Sequence, residues 1–113
     1  MKDITAIIRP EKLDAVRVAI DKIGHAGITI IDVDGHGKQK GVYQSWRGET
    51  FRVELLPKVM VKVVVQNTLA DRVIKAIIDA AKTGQEGDGK IFVTNLESVY
   101  RIRTSETNEA ALC

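Results

Sequence analysis

The stretch Thr83–Phe92, TGQEGDGKIF, decides how the second half of this sequence is interpreted. Gly84, Gly87 and Gly89 leave the backbone free to turn its N–H groups inward, and Lys90 places a positive charge beside them. Inward-facing amides combined with a cation are a common way for a loop to bind phosphate. The spacing therefore indicates a phosphate-binding loop, with an ordinary glycine-rich turn between a helix and a strand as the alternative.

The stretch differs from a P-loop in two respects. Gly84-x4-Gly89-Lys90 matches the start of that motif, but Ile91 occupies the position that requires a magnesium-binding Ser or Thr. A helical pattern also precedes the loop and a strand follows it, so no helix N-terminus faces the phosphates. Side chains must then supply the charge. Arg101 and Arg103 alternate in a stretch predicted to be extended, and would point the same way.

Composition limits the remaining classes of protein. The 113 residues predict one domain, 1–113, and 44% hydrophobic with 28% charged residues is typical of a globular chain. Aromatic residues make up only 4%, which argues against nucleic-acid binding by base stacking. The single cysteine, Cys113, excludes a disulfide within the chain. No long apolar segment or signal-peptide pattern follows Met1, so we expect a cytoplasmic protein.

Hydrophobic periodicity predicts the order β-α-β, long loop, β-α-β. Two such halves predict an α+β, ferredoxin-like sandwich, with helices on one face of a four-stranded sheet. The predicted elements are a strand at Lys2–Arg9, a helix from Pro10 to Gly24, a strand at Ile28–Asp34, strands at Val53–Leu56 and Lys58–Gln66, a helix from a capping box at Thr68 and Asp71 to Gly84, a strand at Ile91–Leu96, an extended segment at Ser98–Thr104, and a loose polar tail at 105–113 in which Ala110–Leu112 could pack.

Apolar residues occur on both faces of the predicted strands. Ile7, Ile31, Met60 and Val64 lie opposite another apolar set in their own strands. Two helices cover only one face of a sheet, so the second face would be buried between subunits. The pattern predicts a homo-oligomer.

Residues 35–52, GHGKQKGVYQSWRGETFR, are too long and too polar for a hairpin turn, and no regular structure is predicted for them. A loop of this length inside a compact domain is usually functional. Tyr43, Trp46 and Arg47 are residue types that anchor protein partners. The loop is therefore predicted to bind a partner, and the alternative is that Trp46 and Phe51 pack back onto the domain.

Other polar residues give little support for a metal site or an enzyme. His25 and His36 have no helical i,i+4 partner, and a solvated sheet edge explains Asp32 and Asp34. No Ser/His/Asp or Cys/His set has a natural spacing for nucleophilic catalysis. We expect a binding protein without catalytic residues.

Several separated motifs resemble the nitrogen regulatory protein P-II family. They are IIRPEKLD, GHGKQKG, LPK, TGQEGDGKIFV and RIRT, and the similarity extends from Met1 to Thr104. The resemblance implies a homotrimer that binds ATP or ADP in clefts between its subunits. It also implies a T-loop, residues 36–53, that docks onto target proteins, and 2-oxoglutarate sensing through nucleotide-bound Mg2+.

The resemblance also implies roles for individual residues. The implied ATP or ADP site comprises Ile7, Thr29, Gly35, Gly37, Lys38, Gln39, Val64, Gly87, Asp88, Gly89, Lys90, Phe92, Arg101 and Arg103. The implied 2-oxoglutarate site comprises Gly37, Gln39, Lys40, Gly41 and Lys58. Gln39 resembles the family's magnesium ligand, in keeping with the preference of Mg2+ for oxygen ligands that include phosphates.

Four positions depart from the family's pattern. Phe51 replaces a tyrosine that many members have uridylylated, and Glu49 stands where some carry a phosphorylated serine. Lys62 replaces a common glutamate and Lys38 an arginine, which leaves the preference between ATP and ADP open. The implied targets are an ammonium transporter, glutamine synthetase or the nitrogenase system.

Three functions compete on this sequence. The leading one is a signal protein that regulates nitrogen metabolism without catalysis. A slow ATP hydrolase, or a nucleotide sensor controlling a different transporter or enzyme, is the alternative. A nucleic-acid-binding module is disfavoured, because the strongest strand, VMVKVVV, displays no aromatic residue.

Overall fold

The computed structural model describes residues 1–24, 27–46 and 49–112, and of residues 35–46 and 49–55 it describes the backbone alone. The order of its elements confirms the predicted βαββαβ pattern. In chain order they are β1 (Lys2–Ile8), a 3-10 turn (Pro10–Lys12), α1 (Leu13–Ile23), β2 (Ile28–Trp46), β3 (Glu49–Val65), α2 (Asn67–Ala81), β4 (Lys90–Asn95) and a second 3-10 turn (Asn108–Ala111).

The strands form one antiparallel sheet in the order β2-β3-β1-β4. This is the ferredoxin-like arrangement that the sequence predicts. Strand β1 lies inside the sheet, where Ile7 pairs with Met60 of β3 on one side and with Lys90 of β4 on the other. The end of β1 is thereby placed beside the glycine-rich segment that precedes β4.

The core lies between one face of this sheet and the two helices. In β1 every second residue, Ile4, Ala6 and Ile8, is buried, as the period of a half-buried strand requires. Burial of apolar surface at these positions is the main term that stabilises the domain. The other fully packed core residues are Val16, Ile20, Val59, Val61, Val63, Val65, Ala70, Val73, Ile77 and Ala81.

The second face of the sheet keeps exposed apolar side chains. Ile31 is 45% exposed and Phe92 is 53% exposed on this face. Asp3 and Lys62 form an ion pair on the same face, and the Thr5 hydroxyl donates to Asp3 at 3.0 Å. The exposed apolar residues on this face agree with the alternation in the sequence, whereas the charged pair was not predicted.

The predicted boundaries of α2 are wrong at both ends. The helix begins at Asn67, its N-cap residue is Gln66, and no side chain caps it, so Thr68 and Asp71 do not form a capping box. The helix ends at Ala81 rather than at Gly84. It ends early because the amides of Thr83 and Gly84 donate to the Asp88 carboxylate and not to helical carbonyls.

The prediction of irregular structure for residues 35–52 is also wrong for the described backbone. Strands β2 and β3 continue as an antiparallel ribbon to the pair Trp46 and Glu49, with a register shift between Gln39 and Gln44. The pairing was missed because residues 35–52 carry no hydrophobic alternation, which is the signal from which the other strands are predicted. Pro57 lies within β3 at a level where β1 has already ended, and proline is tolerated at such an edge.

The C-terminal segment is folded back and not extended or loose. Tyr100 bridges to Thr107, and the amide of Arg101 donates to the carbonyl of Glu106 at 2.8 Å. Leu112 then lies in a small crevice with Leu69 and Val73, which agrees with the expected packing of Ala110–Leu112. The predictions of an extended Ser98–Thr104 and of a loose tail are therefore wrong as far as Leu112, and Cys113 lies outside the described residues.

No helix in the described ranges combines the length and the apolar character needed to cross a bilayer.

Candidate functional site

The loop between α2 and β4 is held against the end of β1. Gly89 has a φ of +100° and leads directly into the Lys90–Ile7 pair of the sheet. A Cβ atom at Gly89 would overlap the carbonyl oxygen of Ile7 and would lie 2.8 Å from its carbonyl carbon. Glycine is therefore required at position 89 for two reasons: the backbone angle is positive, and another strand lies too close for a side chain.

Asp88 organises the inside of this loop. Its Oδ2 accepts from the amides of Thr83 and Gly84, each at 2.9 Å, and its Oδ1 accepts from the Thr83 hydroxyl and from Arg9 Nε, the latter at 3.1 Å. These contacts, led by the Thr83 hydroxyl and amide, hold the pKa of the Asp88 carboxyl well below its usual range. The carboxylate is thus charged at neutral pH, and it accepts hydrogen bonds from the loop and from Arg9. Contact between Asp88 and a nucleotide stays a prediction.

Two cations from outside the loop contact its backbone. Arg9 Nη2 donates to the carbonyl oxygen of Glu86 at 2.6 Å, and Lys58 Nζ donates to the carbonyl oxygen of Gly87. Lys58, predicted for 2-oxoglutarate, therefore lies next to the loop predicted for nucleotide. Sequence reasoning missed Arg9, although its position between a strand and Pro10 marks the end of β1.

The residues predicted around a nucleotide base share one face of the sheet but fall into two groups. Ile7 and Phe92 are near Lys90 on β1 and β4. Thr29 and Val64 lie elsewhere, because Thr29 belongs to the edge strand β2 and Val64 pairs with Asp3 at the far end of β1. From β2 to β4 there are three strand spacings, or about 14 Å. A single chain does not bring the two groups together.

A groove of about 420 Å³ lies between α2 and β4. Its walls are mainly apolar, with Ile74 and Ile78 from the helix and Ile91 and Val93 from the strand. Gly89 and its neighbours form one end, whereas Arg9 and Lys58 are not among its lining residues. The groove and the two cations therefore lie on different sides of the loop.

The two C-terminal arginines lie in a turn. Arg101 Nη1 pairs with Glu106 Oε1 at 2.6 Å, and residues 102–104 form the turn itself. The Thr104 hydroxyl and the Arg101 charge lower the pKa of the Glu106 carboxyl. The sequence argument that Arg101 and Arg103 point the same way depends on an extended strand, and that strand is absent from the described residues 101–104. The argument is therefore wrong, and the contact of the two arginines with phosphate stays a prediction.

Several predicted site residues lie outside what the structure describes. Arg47 is not described at all, and neither is His25, which the sequence does not favour as a metal ligand. Only the backbone is described at the positions that carry the remaining predictions on the ribbon. Those positions are Gly35, Gly37, Lys38, Gln39, Lys40, Gly41, Tyr43 and Trp46. Lys62, in contrast, is described, and its ion pair with Asp3 gives its charge a partner on the sheet face.

The fold and the loop together define a ferredoxin-like α+β protein with a glycine-rich loop that is hydrogen-bonded beside β1. The family "Nitrogen regulatory protein P-II" matches residues 1–106. The chain is 51% identical to the nitrogen regulatory protein P-II of Haemophilus influenzae and 51% identical to that of Rhizobium meliloti, in each case over 99% of this chain and 100% of the relative. It is 45% identical to nitrogen regulatory protein P-II 2 of Methanothermobacter thermautotrophicus, over 99% of this chain and 97% of the relative.

The chain belongs to the nitrogen regulatory protein P-II family, as its separated motifs predict. Its class is accordingly that of regulatory signal proteins of nitrogen metabolism. The resemblance found in the sequence and the strand order of the fold agree on this point.

We expect Gly89→Ala to destabilise the protein more than Gly84→Ala does. Gly84 also has a positive φ of +87°, but a Cβ there meets open space, so its substitution tests the backbone angle alone, worth about 1–2 kcal/mol. At Gly89 the overlap with Ile7 adds to that strain. Urea unfolding of the two variants measures the difference, with Gly27→Ala, which meets neither obstacle, as the control. Equal losses at Gly84 and Gly89 would show that the loop does not press on β1.

Proposed function

We propose that this protein is a non-enzymatic sensor that binds ATP or ADP and, with Mg2+, 2-oxoglutarate, and that it regulates target proteins through residues 36–53. The observation that carries the proposal is the glycine loop, fixed against Ile7 and directly followed by Lys90. Membership of a family of nitrogen regulators supports the same function.

The electrostatics of the loop decide which groups are needed to bind phosphate there. It follows the C-terminus of α2, where the helix dipole is negative and disfavours an anion by a few tenths of a kcal/mol to about 1 kcal/mol. Binding therefore needs a cation, which Lys90, directly after the loop, would supply, while Arg9 and Lys58 hold the loop carbonyls. Turned backbone amides supply neutral donors, which suit a ligand of high negative charge.

A second copy of the chain would complete the nucleotide site. The residues predicted around the base are spread over all four strands of the sheet, with Thr29 and Phe92 on its two edge strands, and the face they share exposes Ile31 and Phe92. Apposition of such faces would bury that apolar surface and bring an edge of one subunit to the opposite edge of the next. A homotrimer with three equivalent sites fits this scheme.

Lys58 links the nucleotide site to the proposed effector site. An ammonium group has three donors, so the contact with the Gly87 carbonyl leaves capacity for a carboxylate of 2-oxoglutarate. The backbone of Gly37, Lys40 and Gly41 would hold the same ligand. The amide oxygen of Gln39 would hold Mg2+, which when bound would supply positive charge for the nucleotide phosphates and the dicarboxylate.

The output would be docking of the ribbon tip onto a target in the cytoplasm. An ammonium transporter, glutamine synthetase and the nitrogenase system are the candidate targets. Gln39 lies between the paired base of the ribbon and its tip, and the register changes immediately after it. A ligand bound at this shift would bias the direction of the tip without any modification of Phe51.

We expect Lys90→Ala to weaken ATP binding roughly tenfold or more, because loss of a cation beside phosphate removes a charged hydrogen bond of about 1.5–3 kcal/mol. Isothermal titration calorimetry with ATP and ADP measures the change. Lys75→Ala is the matched control, since Lys75 lies on α2 and is paired with Asp79. Wild-type affinity in Lys90→Ala would contradict the assignment of the site.

We expect Gln39→Ala to abolish 2-oxoglutarate binding while ATP binding stays near the wild-type level. The metal loses its protein ligand in this variant, whereas the glycine loop is unchanged. Calorimetry with 2-oxoglutarate, in the presence of ATP and Mg2+, measures the loss. Tight 2-oxoglutarate binding to the nucleotide-free protein would contradict the scheme.

We expect Trp46→Ala to lose target binding and to keep its affinities for ATP and 2-oxoglutarate, because an aromatic anchor at the tip contributes to the partner interface alone. Co-purification with each of the three candidate targets, with and without effectors, measures the effect. A deletion of residues 42–51 that still captured its target would place the output elsewhere on the protein.

A further inference from the structure

Arg9 makes contacts with the glycine loop that none of the roles above requires. Its Nε donates to Asp88 Oδ1 at 3.1 Å, and its Nη2 donates to the Glu86 carbonyl at 2.6 Å. Lys58 donates to the carbonyl of Gly87, the residue between them. Three consecutive loop residues are thus each held by a cation from outside the loop.

We propose that Arg9 is a positioning residue that fixes the glycine loop in its ligand-binding conformation before any ligand arrives. The inference rests on the proposed nucleotide-binding function for its biological meaning. It concerns the loop itself, however, and can be tested without nucleotide.

The direction of the carbonyls explains how Arg9 would act. In a trans peptide unit the C=O and the following N–H point in opposite directions, and the described chain contains no cis peptide. Because the carbonyls of Glu86 and Gly87 face Arg9 and Lys58, the amides of Gly87 and Asp88 face away from these cations. Arg9 therefore sets the direction of the Gly87 amide, as Lys58 does for the Asp88 amide, and an anion that uses these amides approaches from the opposite side.

Arg9 is itself held in place. Its backbone is extended, with φ −65° and ψ 140°, and the following Pro10 restricts it to that region. A Cβ atom at Gly87 would lie 3.3 Å from Arg9 Nη2, so the guanidinium lies directly against the loop. The side chain of Arg9 is only 24% exposed, as is that of Asp88. A preorganised loop of this kind avoids the free energy of ordering at the moment of binding.

The guanidinium shape is essential to this role. Its planar fork donates through Nε and Nη2 at once, to a carboxylate and to a carbonyl, whereas a lysine ammonium is a point charge on a flexible stem. Arg9→Lys therefore keeps the charge and removes the double contact. This variant distinguishes a positioning role from a purely electrostatic one.

The test compares Arg9→Lys, Arg9→Gln and the control Arg17→Gln in the full-length protein. Arg17 lies on α1 and is 52% exposed, so its substitution makes the same change of charge away from the loop. Hydrogen exchange is followed at the amides of Thr83 and Gly84, which donate to Asp88, in the absence of nucleotide. ATP affinity and thermal unfolding are measured on the same samples.

We expect both Arg9 variants to exchange these two amides roughly tenfold faster and to bind ATP roughly tenfold more weakly, the scale of one charge-assisted hydrogen bond. Arg17→Gln should change neither quantity. If Arg9→Gln does not fold, Arg9→Lys carries the test alone.

Two results would overturn the positioning role. One is unchanged exchange at Thr83 and Gly84 in folded Arg9 variants. The other is wild-type ATP affinity in Arg9→Lys, which would make the charge sufficient. If the wild-type protein did not bind ATP at all, the proposed function would fail, and the exchange rates would still decide whether Arg9 positions the loop.

Discussion

The close approach of Gly89 to the carbonyl of Ile7 is the constraint on which the rest of this site depends. Because no side chain fits between them, the loop after α2 meets the backbone of β1 directly, and β4 starts in register at Lys90. This contact puts the end of β1, with Arg9, beside the residues that an anion would meet. A larger residue would push the loop outward and separate the cations from it.

Polar contacts inside the loop complete what this packing begins. The Asp88 carboxylate accepts hydrogen bonds from two backbone amides, a hydroxyl and a guanidinium. These bonds end the helix at Ala81 and fix the turn that follows. The low pKa of Asp88 is a consequence of the same donors, since each of them favours the charged carboxylate. The loop therefore carries an internal negative charge that is paired with the Arg9 guanidinium.

The two faces of the sheet differ in how much of their apolar surface is covered. One face is covered by α1 and α2 and contains the whole buried core. The other displays Ile31 and Phe92 together with the Asp3–Lys62 pair. A single copy of the chain leaves this surface in water, and the two groups of the proposed base site, Ile7 with Phe92 and Thr29 with Val64, stay apart. The same surface thus connects assembly with ligand binding in the proposed function.

Periodicity alone determined the element order and the ferredoxin-like class, because alternation in β1 and helical spacing in α1 and α2 reflect burial against one core. The glycine spacing and Lys90 likewise identified the loop, and the separated motifs identified the family. The ribbon formed by the far parts of β2 and β3 was not predicted, because residues 35–52 lack the hydrophobic alternation from which the other strands are predicted. The early end of α2 and the turn at residues 102–104 were missed because they depend on Asp88 and Glu106 accepting hydrogen bonds from particular neighbours. Arg9 and Lys58 are far apart in sequence from residues 86–88, so only the pairing of β1 with β3 and β4 brings these cations to the loop.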